Sequence, residues 1–262
     1  MLRYLRLYLY FLRFSLSKAM EFRLDFFFRI VMDVVFYIVH LAFFTVIYRH
    51  TDLLGGWTLD QIYLFVAGTM LTDALHMTLF ANNLWWLPVY INRGDLDYYL
   101  VRPVSPLFLL SLREFAANSF VNLLIAAGAV VWAVWRYPEP LGAARVVLFL
   151  VLLGFGVMVY YLLRMLFIIP VFWLHSGRGL DEIAWSLNRL SEQPHQIYHP
   201  WLRVVMLTIL PIALLVSVPS HALFGGDALL RLVHVVTVTA CLFGFVVWFW
   251  RVGLRAYASA SS

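Results

Sequence analysis

The chain has 262 residues, of which 63% are hydrophobic and 13% charged, and a formal net charge of +5. A mean hydropathy of +0.85 is too apolar for a soluble domain. The basic residues are dispersed, with no Lys/Arg block to follow a phosphate backbone, which excludes nucleic acid as a partner. One cysteine, Cys241, leaves no intramolecular disulfide and no multi-cysteine metal site.

Residues 1–22 are too charged to span a bilayer. Leu2, Leu5, Leu9, Leu12 and Leu16 recur at helical steps, with Arg3, Arg6, Arg13, Ser17 and Glu21 on a stripe beside them. This pattern predicts a helix lying in the membrane interface, its arginines reaching to lipid phosphates. Charge spread through the segment, without a small-residue cleavage site, excludes a cleavable signal peptide.

Six apolar runs follow, near 26–48, 62–89, 107–135, 146–174, 204–218 and 229–250. A crossing takes about 20 apolar residues, so the runs predict six transmembrane helices in one membrane domain over 24–255. The connections leave no room for a soluble domain. With the N-terminus in the cytoplasm, Arg3, Arg6, Arg13, Lys18, Arg23, Arg29, Arg93, Arg102, Arg113, Arg178, Arg189, Arg203, Arg251 and Arg255 lie inside. Only Arg49, Arg136, Arg145 and Arg231 lie outside, and Arg164 falls within a run. That bias predicts both termini in the cytoplasm. Trp57, Trp85, Trp86, Trp132, Trp135, Trp201, Trp248 and Trp250 fall near span ends, as an aromatic belt does.

The outer loops, 49–60 and 136–144, are short. The first inner loop, 92–106, mixes paired carboxylates, tyrosines and arginines between prolines. A second inner loop is predicted over 176–200, where Leu180, Ile183, Leu187 and Leu190 share a helical face opposite polar residues such as Asp181, Asn188 and Arg189. After the short fifth run, residues 219–226 are too apolar for a free loop and too broken for a crossing, which predicts a re-entrant outer hairpin between helices 5 and 6.

The only lysine, Lys18, stands outside any glycine-rich loop, so the G-x-x-x-x-G-K-[ST] nucleotide loop is absent. So are H-E-x-x-H and C-x-x-C. Gly154 and Gly156 lie within a span and read as close-packing positions. No catalytic residue and no metal site emerges. The polar groups inside the spans are Asp33, His40, Asp73, His76, Glu114, Asn118, Asn122 and Arg164, each expensive in lipid without a partner. Asp73 and His76, three apart, read as a local pair or packing contact rather than half of a metal or proton site. Arg113 and Glu114 read as an interfacial ion pair. Arg164 calls for an acidic partner, with Asp33, Asp73 and Glu114 as candidates, in either a structural or a substrate-facing role.

Arg93-Gly94-Asp95-Leu96-Asp97-Tyr98-Tyr99-Leu100-Val101-Arg102-Pro103 resembles the G-x-L-D-x-x-L-x-R-P loop of a bacterial ABC-2-type permease subfamily. Pro194-His195-Gln196-Ile197-Tyr198, Leu210-Pro211 and Val218-Pro219-Ser220 with Leu223-Phe224-Gly225 resemble its second half, where an aromatic pair usually stands in place of Ser217-Val218. The resemblance implies an all-α polytopic membrane protein, 1–262, with the 1–22 segment as an elbow helix before the six-helix domain. It implies a subunit of an ATP-binding cassette exporter in the bacterial inner membrane, working as a dimer with a second permease, identical or paralogous. ATP and magnesium belong to a separate ATPase dimer, and this chain carries no cofactor. Arg93, Gly94, Asp95, Leu96, Asp97, Tyr98, Tyr99, Leu100, Arg102 and Pro103 would then couple to that ATPase, with Leu180, Ile183, Leu187 and Leu190 as a second cytoplasmic contact. The rival readings from the residues alone are a membrane enzyme acting on a lipid and an unpowered channel or scaffold.

Overall fold

The computed structural model of the chain describes residues 7–11, 23–116 and 119–257. The described residues are helical almost throughout, and among them there is no strand. Most of the predicted interfacial segment lies outside the described residues; residues 7–11 within it are helical.

Helix α1 (Arg23–Ile47) is uninterrupted by Gly or Pro. It leaves many large apolar side chains uncovered, among them Met32, Phe36 and Val39, as a helix bathed in lipid does. The chain turns at 48–58 and enters α2 (Leu59–His76), whose first turn is capped by Thr58 N–H donating to Gln61 Oε1 at 3.0 Å. Helix α2 is the centre of the molecule. Its residues are buried on nearly every side, from Ile62 through the run Leu64–Thr72 to Ala74 and His76.

A π-helical turn, Met77–Ala81, joins α2 to α3 (Asn82–Arg93), making one 35-residue rod, Leu59–Arg93. Gly94, with φ +78°, ends it in the left-handed conformation. A four-residue helix, α4 (Asp97–Leu100), leads to α5 (Pro106–Leu112) and α6 (Phe120–Arg136). The sequence predicts one continuous span over 107–135; the backbone instead breaks after Leu112. The break is held by Asn83, which donates Nδ2–H to the Glu114 carbonyl at 2.7 Å and accepts from Glu114 N–H at 2.9 Å. Ala116 N–H reaches the Thr78 carbonyl within the π turn at 3.0 Å. Backbone groups freed in one element thus satisfy those freed in the other, which is what lets both irregularities persist inside an apolar bundle.

Helix α7 (Ala143–Ile168) continues after Ile169 and Pro170 into α8 (Val171–Leu174). Helix α12 (Ala228–Ala256) runs beside both. Four helical stretches are long and apolar enough to cross a membrane among the described residues: Ile30–Ile47, Leu59–Arg93, Ala143–Leu174 and Ala228–Ala256, with Phe120–Arg136 shorter.

Between α8 and α12 the chain departs from its hydropathy pattern. Helix α9 (Arg178–Asn188) and the 3-10 turns Arg189–Glu192 and His195–Ile197 run along the bundle. Asp181 lies at Arg164, Asn188 at Tyr160, and Ile197 at Gly55 in the 48–58 turn. The segment therefore packs on α7 at Arg164 and Tyr160 and goes on to the 48–58 turn, where the sequence predicts a loop beneath the bundle. The predicted span 204–218 is not one helix: α10 (Pro200–Leu207), a 3-10 turn at Ile212–Leu214 and α11 (Ser217–His221) form a folded hairpin. Pro211 and Pro219 remove two backbone donors and forbid a continuous helix. Leu207 accepts a bond from His234, Leu210 and Ile212 reach the level of Arg164, and His221 returns to Trp57 beside the 48–58 turn. Gly156 admits the hairpin: a Cβ there would lie 2.2 Å from the Leu215 carbonyl oxygen. Gly154, equally suggestive in sequence, has open space around it.

Candidate functional site

Helix α4 forms a knob at the end of the bundle opposite the 48–58 turn. Its inward side is fixed. Leu96 is fully buried and Tyr99 8% exposed. Arg113 donates to both Tyr99 Oη and Tyr90 Oη, the latter at 2.9 Å, and to Glu114 Oε1 at 2.7 Å, its guanidinium lying against both rings. Arg113 and Glu114 thus pair as expected, and the pair also clamps α4 to the end of α3. Tyr257, just past α12, sits against Asp97 and the Leu96 backbone; burial first, then the Asp97 charge, holds its phenol above the usual range. The knob therefore touches three parts of the bundle.

Its outward side is open. Tyr98 is 70% and Val101 82% exposed, and Arg93, Leu100, Arg102 and Pro103 are exposed beside them. Asp95 and Asp97 are half-buried. Arg102 Nε–H donates to the Tyr98 carbonyl at 3.2 Å, stiffening the tip. Aromatic and apolar groups thus stand exposed at the end of the bundle, among arginines.

A second polar assembly lies within the bundle. Arg164 donates to Asp181 Oδ1 at 3.1 Å and lies 5.3 Å from the Trp185 ring centroid. The expected partners Asp33, Asp73 and Glu114 are engaged elsewhere or too distant: Asn122 Nδ2–H bonds Asp33, and Glu114 bonds Arg113. His76 stacks on Tyr160 with centroids 3.8 Å apart, and neither ring nitrogen has a hydrogen-bond partner. It is a packing residue, and the spacing to Asp73 forms no bond. Asn118 lies outside the described residues. A cavity of about 310 Å³ opens between α1, α2, α6, α7 and the 178–192 segment, walled by Asp33, Asp73, Asn122, Tyr160, Trp185 and Glu192. Of the second predicted contact face, Leu187 lines a small void beside Arg164, Leu180 and Leu190 pack against the core, and Ile183 is exposed.

A family described as ABC-2 family transporter protein matches residues 34–261. The chain belongs to the ABC-2 transporter family. No curated protein and no solved structure matches it. The span of the match takes in the knob, the polar assembly and the 178–221 segment together. Within it, sequence reasoning missed Asn83, Asn188 and Asp181 as the groups that partner the broken backbone, Tyr160 and Arg164. The signal for the last two was present: Asp181 and Asn188 are seven apart on one helical face, opposite Arg164 and Tyr160, four apart on theirs.

Proposed function

We propose that this ABC-2 family chain is the membrane-spanning permease subunit of an ATP-binding cassette exporter, seated in the bacterial inner membrane and driven by a separate ATPase. The observation that carries the reading is the α4 knob: rigidly anchored through Leu96, Tyr99 and Arg113, yet presenting Tyr98, Val101 and Arg102 outward. A push on such a knob moves α3, α5 and the end of α12 as a unit, because all three are tied to it. ATP and magnesium reside on the partner. The permease works as a dimer, with itself or a paralogue, whose seam carries the cargo.

In this reading the termini are cytoplasmic and the chain crosses six times, by α1, α2–α3, α5–α6, α7–α8, the 178–197 segment and α12. The fifth crossing is the polar segment 178–197, and 200–221 is the re-entrant element, dipping from the outer face and returning to it. The meeting of Ile197 with Gly55 and of His221 with Trp57 supports this. A second contact with the ATPase then falls to the first turns of α9, at Leu180 and Ile183, since Leu187 and Leu190 are drawn into the crossing.

The test is co-purification. Co-expressed with its ATP-binding cassette subunit, the wild-type chain forms a stable complex in detergent, and Asp95→Lys with Asp97→Lys loses the ATPase while membrane insertion persists. Undiminished association of that variant overturns the coupling role, and a chain that recruits no ATPase overturns the reading.

A further inference from the structure

The 310 Å³ cavity beside Tyr160 carries chemistry that coupling to an ATPase does not use. Three carboxylates, Asp33, Asp73 and Glu192, border it, against one guanidinium, Arg189. Asp73 has no hydrogen bond or ion pair among the described residues. Asn122, 5% exposed, lines the same space; its Nδ2 is spent on Asp33 and its carbonyl oxygen Oδ1 is left without a donor. The wall is thus net negative, three carboxylates against one guanidinium, and its other polar groups, Ser119, Asn188 and the Tyr37 and Tyr160 hydroxyls among them, are uncharged. Aromatic faces from Phe36, Tyr37 and Trp185 complete it.

Buried acceptors without donors are costly in a bilayer, and carboxylates more so. What relieves them is a positive charge carrying N–H groups. A bare metal ion fits poorly, because no three His, Cys, Asp or Glu side chains among the described residues converge closely enough to share one. An anion is repelled. A ligand whose charge sits on one amine and whose body fills the aromatic side satisfies both halves of the cavity.

We propose that this cavity is a binding site for an organic cation, a protonated amine on an apolar or aromatic body, held by Asp73 and Glu192. As a statement about binding it stands alone; as a statement about exported cargo it rests on the permease reading.

The experiment uses the full chain in nanodiscs of neutral phosphatidylcholine, with empty nanodiscs subtracted. The probes are dansyl-ethylenediamine, its N-acetyl derivative and dansylglycine, which share one fluorophore and differ in charge. The amine binds saturably and about tenfold tighter than either analogue. Asp73→Asn and Glu192→Gln each weaken the amine about fivefold or more and leave the N-acetyl compound unchanged. Equal affinity of the amine and its N-acetyl derivative overturns the proposal, and that comparison needs no variant to fold. Wild-type affinity in the folded double variant overturns it as well. ATPase association measured on the same preparation separates the two readings: lost amine selectivity with an intact complex sinks the cation site alone, and retained selectivity with no complex sinks the permease alone.

Discussion

Asn83 and Glu114 exchange two hydrogen bonds across 31 residues of sequence, side-chain amide to backbone carbonyl at 2.7 Å and backbone amide to side-chain carbonyl at 2.9 Å. The asparagine stands in for a strand of backbone, closing a gap where the helical ladder of α5 stops short of α6. Asn83, in the first turn of α3, is 5% exposed. Asn83→Leu leaves one backbone donor and one acceptor unpaired, which costs about 2–4 kcal/mol. The expected result is a clear fall in the thermal midpoint of the detergent-solubilised protein. Asn83→Asp, which accepts but cannot donate, falls between the two.

Arg164 and Asp181 bind α7 to α9, with side chains 10% and 34% exposed. Removing one partner strands the other near the bundle core. Arg164→Leu or Asp181→Leu alone therefore destabilises by about 2–3 kcal/mol, the exposure of Asp181 holding the figure below that of a fully buried pair. The double Leu variant recovers much of the loss, because neither charge remains stranded. Thermal inactivation of the four proteins gives the coupling energy as a double-mutant cycle; additive losses would assign Arg164 to its contact with Trp185 instead.

The knob separates anchoring from display. Tyr99 is buried under Arg113 and Tyr98 is open. Tyr99→Ala lowers stability by about 2–3 kcal/mol through lost packing and the loss of one of the three hydrogen bonds Arg113 makes. Tyr98→Ala changes stability by less than about 0.5 kcal/mol and instead weakens ATPase association. Measuring both properties for both variants distinguishes a coupling surface, where the effects split, from a merely structural turn, where neither touches association.

The 178–197 segment yields to labelling. In a Cys241→Ala background, a cysteine at position 197 reacts with an impermeant maleimide added outside the cell, and one at position 97 reacts only after the inner face is opened. If 176–200 were an inner loop, both would react from the same side. The comparison decides the fifth crossing without reference to transport.

The apolar helices were legible from the sequence, the buried α2 among them; the polar segment was not. Runs such as those in α1 and α12 announce themselves because lipid selects apolar side chains along most of their surface. Residues 178–197 carry Asp181, Asn188 and Arg189 and read as a loop, yet Arg164 and Tyr160 receive two of those groups. Hydropathy measures transfer into hydrocarbon and is blind to a partner supplied by another helix. The same blindness hid the break at Leu112, which only Asn83 makes tolerable, and drew the fifth span over 204–218, where apolar composition conceals a hairpin. The loop at 92–106 stood out locally, through its charges and tyrosines between prolines, but which side chains face out did not: Leu96 and Tyr99, both expected at the ATPase contact, are buried against the bundle, and only Tyr98 of the two tyrosines is open.

Gly154 and Gly156 offer the sharpest contrast between composition and geometry. Both lie inside α7, where Gly→Ala ordinarily stabilises by about 1 kcal/mol. At 154 nothing lies within 4 Å of a new Cβ, so Gly154→Ala keeps that gain and raises the thermal midpoint slightly. At 156 the Cβ lands 2.2 Å from the Leu215 oxygen and 3.0 Å from that of Leu214, both backbone atoms that cannot rotate away. The hairpin must retreat from α7, taking with it the packing of Val216 on Gly68 and the bond from the His195 amide to Ser217 Oγ. Gly156→Ala therefore lowers the midpoint by the equivalent of about 2–3 kcal/mol, and the loss is read against Gly154→Ala in the same helix. Equal midpoints for the two variants would mean that the hairpin does not press on α7, and with it would go the support that this contact gives to a re-entrant element at 200–221.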